Sequence, residues 1–211
     1  MAEMTSIERF RRAVNRETVD HVPVCLTPWQ ETRKRYVAEG HLKEGEDYGE
    51  HFGCDMVRAG VFNTVADLDF EPQVLEEDEN TILTLDGNGA KLRRHKHHSA
   101  TPEHVGFTVT DREGWEEKIK PHLTQMNPRR LMREGYRNTR NRAAANGRFF
   151  CASTALPFER LHPVIGHEMM MLGTLIDPEW IRDMADTYAD FIIMHFEEMF
   201  ALEGLPDGAY L

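Results

Sequence analysis

Short apolar runs that alternate with helical segments are the feature that most constrains how this chain can fold. Four such runs are predicted as β-strands: Val22–Leu26, Cys54–Phe62, Arg148–Thr154 and a last one that begins near Gly208. Their short length and their β-branched or aromatic content favour strands over helices. Strands separated by long helices are joined by right-handed crossovers and therefore lie parallel. The pattern predicts an α/β fold, and by itself it leaves a doubly wound sheet and a barrel equally open.

The helical segments carry clear end signals. Thr5 and Glu8 form a capping box at the start of the first helix. Near the end of the sequence Asp177 can cap a helix, and Pro178 suits its first position. That helix keeps one apolar face until Gly204 ends it. We therefore expect helices on the flanks of the predicted parallel sheet.

A segment with a different pattern interrupts the series. Between Glu71 and His95 short β-like runs flank Asp86–Gly89, whose residues tolerate the positive φ angles of a hairpin turn. We predict an antiparallel hairpin inserted at about residues 71–95. Gly106–Thr110 is a further strand candidate, and Thr110 with Glu113 predicts the capping box of the next helix.

Composition excludes several classes of protein. The 211 residues, 40% of them hydrophobic, suffice for one core, so we predict a single domain over residues 1–211. A net charge of −11 argues against a general nucleic-acid binder. The amino terminus lacks the apolar region of a signal peptide, and the apolar stretches are too short to span a membrane. Three scattered cysteines predict a reducing compartment, the cytoplasm.

Several stretches resemble the uroporphyrinogen decarboxylase superfamily, which includes corrinoid-dependent methyltransferases. They occur in the order that the superfamily places them, and they read TSIERFRRAVNRETVDHVPV, HFGCDMV, DGNGAKLRR, TDREGWEE, LPFERL and IDPEW. The resemblance implies part of a (β/α)₈ TIM barrel, with about four parallel strands, flanking helices and the inserted hairpin. Such a barrel needs about 250 residues. We therefore expect an incomplete barrel domain that is truncated in its fourth strand, with Leu211 as a truncation or split point.

The loop after the first predicted strand bears on which branch of the superfamily this chain resembles. The decarboxylases carry an arginine-rich MRQAGR loop there, which grips the carboxylates of the substrate through bidentate guanidinium pairs. This sequence has TPWQETRKR, and the two arginine positions fall on Pro28 and Thr32. Arg33 would substitute only after a shift of register. Uroporphyrinogen decarboxylation in porphyrin (heme) biosynthesis, which needs no metal or organic cofactor, therefore remains the alternative function.

Methyl transfer is the leading hypothesis, by elimination. The resemblance implies that zinc activates a thiol, whose thiolate attacks a methyl group on the cobalt of a corrinoid protein. The zinc ligands of that branch lie in the second half of the barrel, beyond this sequence. We predict a corrinoid-dependent methyltransferase acting on a small methylated substrate or thiol. A second alternative is a non-catalytic remnant or a half-barrel subunit, inactive alone and completed by another chain or a second copy.

Most candidate site residues follow the carboxyl ends of the predicted strands, where barrel ligands bind, whereas Asp55 and Arg58 lie within the predicted strand Cys54–Phe62. A side chain such as Trp29 can stack on a flat tetrapyrrole, although simple loop packing explains it equally well. Histidines can act as acid or base near neutral pH, although capping and core roles are more frequent. The substrate-binding candidates are Trp29, Arg33, Arg58 and Phe158, and the catalytic candidates are His162, His167 and Asp55.

No metal site is predicted within this sequence. His95, His97 and His98 are interleaved with cationic side chains, which predicts a solvated basic strand end. The cysteines Cys25, Cys54 and Cys151 are interpreted as small core residues rather than ligands.

Overall fold

The computed structural model describes residues 3–211 and has a mixed α/β architecture, which confirms the predicted class. The strands are β1 Met56–Gly60, β2 Gln73–Glu77, β3 Thr81–Leu85, β4 Ala90–His95, β5 Glu103–Phe107, β6 Phe149–Ser153 and β7 Gly208–Tyr210. The helices are α1 Ser6–Val14, α2 Gln30–Ala38, α3 Tyr48–His51, α4 Arg112–Lys118, α5 Arg133–Ala145, α6 Pro157–Ile176 and α7 Pro178–Glu203, with 3₁₀ turns at Lys120–His122 and Pro128–Arg130. Between residues 3 and 211 no helix has the length and apolar character that crossing a membrane requires.

The chain forms two compact units, each assembled from separate stretches. The first unit comprises the residues up to Val61 together with Met132–Ser153 and Phe200–Tyr210. The second comprises Phe62–Leu131 and Thr154–Met199, with Leu211. The parallel sheet belongs to the first unit and the antiparallel sheet to the second.

The parallel sheet has the order β1-β6-β7, which follows the order of the chain. Because side chains alternate across a strand, Met56 and Arg58 share one face, and their register partners Phe149 and Cys151 lie beside them. The opposite face packs on α5, where the Tyr136 ring meets an aromatic ring of β6 edge-on. We call the face that carries Arg58 the inner face.

Helix α1 covers only one end of the inner face. Ile7 and Phe10 pack against a buried cluster at the amino-terminal end of the strands, and the ring of Phe10 stacks on Phe149 at 4.9 Å. The carboxyl end of the same face, which carries Arg58 and Ser153, lies outside this cluster. The packing of α1 is therefore concentrated on the cluster at the amino-terminal end of the strands.

The prediction of four parallel strands is wrong, because Val22–Leu26 forms no strand in the described part of the chain. The segment is extended and lies beside β1, where Val24 accepts a hydrogen bond from the Asp55 amide at 2.8 Å. The Val24 amide donates to the Asp55 carboxylate rather than to a strand. Pro23 offers no N–H to a ladder, which limits regular pairing. Three parallel strands remain, and the described residues do not close a barrel.

The predicted insert at residues 71–95 is larger than a hairpin. The pair β3 and β4 confirms the hairpin, with a turn at Asp86–Gly89 in which Gly89 has a φ angle of +78°. Strands β2 and β5 then extend it to an antiparallel sheet of order β2-β3-β4-β5. The strand candidate Gly106–Thr110 is accordingly shifted, because β5 ends at Phe107.

Helix ends follow the sequence signals with one correction. The Thr5 hydroxyl accepts a hydrogen bond from the Glu8 amide at 3.2 Å, and Asp177 accepts one from the Trp180 amide at 3.2 Å. The cap of α4 is Asp111 instead of Thr110, since its carboxylate accepts the Gly114 amide at 2.8 Å. A carboxylate one residue further along the chain has thus displaced the predicted hydroxyl cap.

Candidate functional site

A cavity of about 610 Å³ runs beside β1, from Cys54 before the strand to Arg58, and reaches Ser153 at the carboxyl end of β6. It lies in the first unit, and its lining residues come from the extended stretch before α2, from helices α2, α3 and α5, and from the parallel strands β1 and β6. We call it the arginine cavity, and its lining includes Cys25, Thr27, Pro28, Arg33, Asp47, Cys54, Arg58, Arg142 and Ser153.

Arg58 is the central charged group of this cavity. Its Nη2 donates to the Thr27 hydroxyl at 2.5 Å, and its guanidinium carbon lies 4.2 Å from the centre of the Tyr210 ring. Among residues 3–211 no carboxylate forms an ion pair with Arg58. A half-buried guanidinium that is held by a hydroxyl and an aromatic face keeps its remaining donors for a negatively charged ligand.

Arg33 lines the same cavity from α2. Its Nη2 donates to the Glu46 carbonyl at 3.2 Å, and in the described chain it forms no ion pair with a carboxylate. The structure thus brings together two of the substrate-binding candidates, Arg33 and Arg58. They come from different elements, and both present unpaired positive charge.

Thr27, Tyr210 and Arg142 also belong to this site, and none was singled out from the sequence. Tyr210 lies in β7 opposite Ser153 of β6, so strand register places its ring beside Arg58. Arg142 approaches Asp47 at 3.6 Å from α5, whose basic character is visible in the sequence. The alternation of residues along β7 could have suggested Tyr210. The hydroxyl partner of Arg58 leaves no signal in the sequence.

The thiols of Cys151 and Cys25 are protonated at neutral pH. Burial raises the pKa of Cys151 to about 11, and it also raises the pKa of Cys25, although Arg58 acts in the opposite direction on both. The Cys151 sulfur contacts the sulfur of Met56 at 3.3 Å. Two of the three cysteines are buried as expected for core residues, whereas Cys25 is exposed.

Asp55 has partners that serve the fold. Its carboxylate forms an ion pair with Arg9 and accepts the Ser6 hydroxyl at 2.8 Å and the Val24 amide at 2.8 Å. Arg9 is itself buried and also pairs with Asp20 at 2.7 Å, which lowers the pKa of Asp20 well below its ordinary value. These contacts tie α1, the extended segment and β1 together. The geometry gives Asp55 a positioning role and offers no free oxygen for catalysis.

Trp29 and Phe158 lie on exposed surfaces. Trp29 occupies the position before α2 and is 60% exposed, and it is not among the residues that line the arginine cavity. Phe158 lies in the first turn of α6, in the second unit, and is 58% exposed. The structure therefore does not bring either aromatic ring to Arg33 and Arg58.

His162 and His167 meet each other in the second unit. Their rings stack with centroids 4.5 Å apart, and His104 of β5 meets His162 edge-on at 5.5 Å. Burial lowers the pKa of His162 and of His104, so both favour the neutral form. His104 was not anticipated, because its partners lie about 60 residues further along the chain. We call these three residues the histidine cluster.

No metal centre is formed by the described residues. Between residues 3 and 211 no three or more His, Cys, Asp or Glu side chains converge as metal ligands. The zinc ligands that the methyltransferase resemblance implies are therefore not supplied by this part of the chain. What the arginine cavity can do chemically is bind and orient an anionic group.

Comparisons of the chain with protein-family models, with curated proteins and with solved structures found no match. The site is therefore interpreted from its own geometry.

Proposed function

We propose that this chain belongs to the uroporphyrinogen decarboxylase-like superfamily and that its arginine cavity holds the anionic group of a small-molecule or tetrapyrrole substrate. Corrinoid-dependent methyl transfer to or from that substrate is the leading activity. The observation that carries the proposal is Arg58, a half-buried guanidinium without a carboxylate partner among residues 3–211. Such a charge is costly unless a ligand or solvent pairs with it.

The arrangement of the sheet supports a barrel as the setting for this cavity. The parallel strands are neighbours in the order of the chain, as consecutive strands of a (β/α)₈ barrel are. Helix α5 covers one face, whereas Arg58 and Tyr210 stand on the other, which would be the barrel interior. Substrates of such barrels bind at the carboxyl ends of the strands, and the lining of the arginine cavity includes Ser153 at the carboxyl end of β6.

The role that we propose for this part of the chain is binding. In the methyltransferase branch, bound zinc and a corrinoid supply the methyl-transfer chemistry, but the described residues do not fit a zinc site. Arg58 and Arg33 would hold the carboxylate of the substrate, and Thr27 would fix the orientation of the Arg58 guanidinium. We assign no step of the transfer itself to these residues.

Uroporphyrinogen decarboxylation is the second candidate, and one observation favours it. Two arginines without ion-pair partners line one cavity, as a substrate with several carboxylates requires, although the MRQAGR loop is replaced. Both candidate functions require a substrate carboxylate that the arginines bind, and they differ in the reaction that follows.

The proposal is tested with the whole protein and two probes. 3-Mercaptopropionate carries a thiol and a carboxylate, and its methylation by methylcobalamin in the presence of zinc is followed from the corrinoid absorbance. Uroporphyrinogen is assayed in parallel for less carboxylated products. Binding of each probe is measured by calorimetry. We expect Arg58→Gln to weaken binding of the active probe about tenfold or more, because a charge-assisted hydrogen bond is lost.

Arg35→Gln is the matched control, because Arg35 lies on the same helix as Arg33 and pairs with Glu39 at 2.7 Å on the surface. This control should bind as the parent protein does. Equal binding by Arg58→Gln and the parent protein would overturn the proposed site. Binding of both probes without either reaction would overturn the catalytic part of the proposal.

A further inference from the structure

The histidine cluster joins three separate pieces of the second unit. His104 belongs to β5, His162 to the first half of α6, and His167 to the second half of the same helix. The rings of His162 and His167 are nearly parallel, with an interplanar angle of 18°, whereas His104 lies at 72° to His162. The middle ring, His162, therefore contacts both of the others.

A break in α6 lies between the two stacked rings. Gly166 has φ +77° and ψ 162° inside the helix, a conformation that only glycine adopts readily. A Cβ atom at Gly166 would lie 2.4 Å from the ring of Phe107, so that the aromatic side chain of β5 packs directly on the glycine backbone. The two halves of α6 thus meet at a hinge that is pressed against β5.

Charged groups of both signs surround the cluster, and burial opposes protonation of His104 and His162 most strongly. Asp86 favours the charged form of His104, whereas Arg94 and His167 oppose it, and burial opposes it most. His162 faces Glu159 and Arg160 on its own helix, besides the other two histidines, and its Nδ1 approaches Glu159 only to 3.9 Å. Glu168, next to His167, is exposed and lines the adjoining cavity. Two opposing cations and two neighbouring imidazoles therefore accompany the three carboxylates.

We propose that the histidine cluster is an acid-sensitive latch that holds the hinge of α6 against β5. In their neutral forms His162 stacks on His167 and meets His104 edge-on. Once His104 and His162 both carry a proton, two like charges stand with their ring centres 5.5 Å apart, and the contact becomes repulsive. The first half of α6 then separates from β5.

Opening of the latch would enlarge a cavity that already exists at this place. It measures about 640 Å³ and is lined by His104, Phe107, Ile165, His167 and Leu172, among others. Gly166 lines the cavity and is also the hinge of α6, so movement at the hinge would change the shape of the cavity. Because the pKa values of His104 and His162 lie below the ordinary value of 6.5, the latch would couple a fall in pH below that value to access at this surface.

Hydrogen exchange followed by mass spectrometry tests the latch in the whole protein. After correction for the chemical exchange rate, we expect the amides of α6 and β5 to exchange at least about tenfold faster at pH 5.5 than at pH 7.5. Helix α7 should show no comparable change. The variant His162→Phe keeps a ring of similar size that cannot be protonated, and it should abolish the acceleration.

The matched control is His98→Phe, because His98 stacks on His95 at 3.9 Å on an exposed surface away from the hinge. This variant should retain the acceleration in α6. His104→Phe provides a second test if His162→Phe fails to fold, and the midpoint of exchange in the parent protein should follow the imidazole titration of His104 and His162 by NMR. The latch is refuted if α6 exchanges equally at both pH values, or if its acceleration persists when the middle ring cannot be protonated.

Discussion

At the residue scale, Glu203 lies in the first unit with its side chain only 4% exposed. Its carboxylate accepts hydrogen bonds from Arg133 at 2.8 Å and from Arg137 at 2.7 and 2.6 Å. These two guanidinium groups lower the pKa of Glu203 to about 2, mainly through the hydrogen bonds themselves. One acidic side chain thereby joins the end of α7 to α5.

The depressed pKa of Glu203 predicts how stability depends on pH. A carboxylate with a lower pKa in the folded chain stabilises it above the unfolded value, here 4.5, and that contribution is lost as the pH falls towards 2. We expect Glu203→Gln to be less stable than the parent protein at neutral pH. The difference should shrink between about pH 5 and about pH 2.5, measured by denaturant unfolding.

Glu197→Gln is the control for that measurement, since Glu197 is exposed on the same helix. Its pH profile should follow that of the parent protein. An unchanged gap between Glu203→Gln and the parent protein across this range would refute the role assigned to Glu203.

Residue roles were predictable from the sequence only where charge and position agreed. Arg33 follows the first predicted strand and Arg58 lies within the second, and the structure brings both to one cavity. Asp55 lies in the same predicted strand as Arg58, but Arg9, 46 residues earlier in the chain, occupies its carboxylate. Residue spacing in the sequence does not reveal an ion-pair partner so far away. From the sequence alone, a carboxylate in a buried ion pair therefore cannot be distinguished from a catalytic acid.

At the scale of elements, periodicity and end signals carried most of the information. Cys54–Phe62 and Arg148–Thr154 each contain a parallel strand, with ends shifted by one or two residues. Val22–Leu26 has the same apolar pattern but forms no strand. The Val24 amide donates to the Asp55 carboxylate and the Val24 carbonyl accepts from the Asp55 amide, and this single pair of residues does not make a ladder of backbone hydrogen bonds. Strand pairing depends on distant residues, which local pattern cannot specify.

The hinge of α6 gives a prediction at the same scale. We expect Gly166→Ala to destabilise the protein by about 2 kcal/mol or more, because alanine does not tolerate this backbone conformation and its Cβ would overlap the Phe107 ring. The measurement is the free energy of unfolding in denaturant. Gly135→Ala is the control, since Gly135 lies within α5 with nothing within 4 Å of an added Cβ.

The control should gain about 0.5–1 kcal/mol from the better helix propensity of alanine. If Gly166→Ala were as stable as the parent protein, the kink would not be a fixed feature of the helix.

At the scale of the whole molecule, neither compact unit is a continuous piece of chain. The chain passes from one unit to the other after Val61, Leu131, Ser153 and Met199. The alternation of strands and helices in the sequence predicts one continuous series. No local sequence pattern indicates that the chain leaves a compact unit and returns to it later. The pairing of β1 with β6, 93 residues apart at Met56 and Phe149, is the long-range contact on which the first unit depends.

This interleaving predicts that the units unfold together. If the second unit unfolded alone, Phe62–Leu131 and Thr154–Met199 would become loops of about 70 and about 46 residues that the first unit must close. Closing two such loops costs about 7 kcal/mol, which is comparable to the entire stability of a typical domain. We expect one transition in denaturant, with the same midpoint by far-UV circular dichroism and by the fluorescence of the buried Trp115 and Trp180.

Variants in either unit sharpen the test of this coupling. Glu203→Gln changes the first unit and Gly166→Ala changes the second. For each variant, the midpoint measured by circular dichroism and the midpoint measured by tryptophan fluorescence should fall by the same amount. Independent units would behave differently: the tryptophan signal, which comes from the second unit apart from the exposed Trp29, would respond to Gly166→Ala and ignore Glu203→Gln. Two separated transitions would show that the first unit stays folded after the second has unfolded. Its own contacts would then stabilise it by more than the free energy that closing the two loops costs.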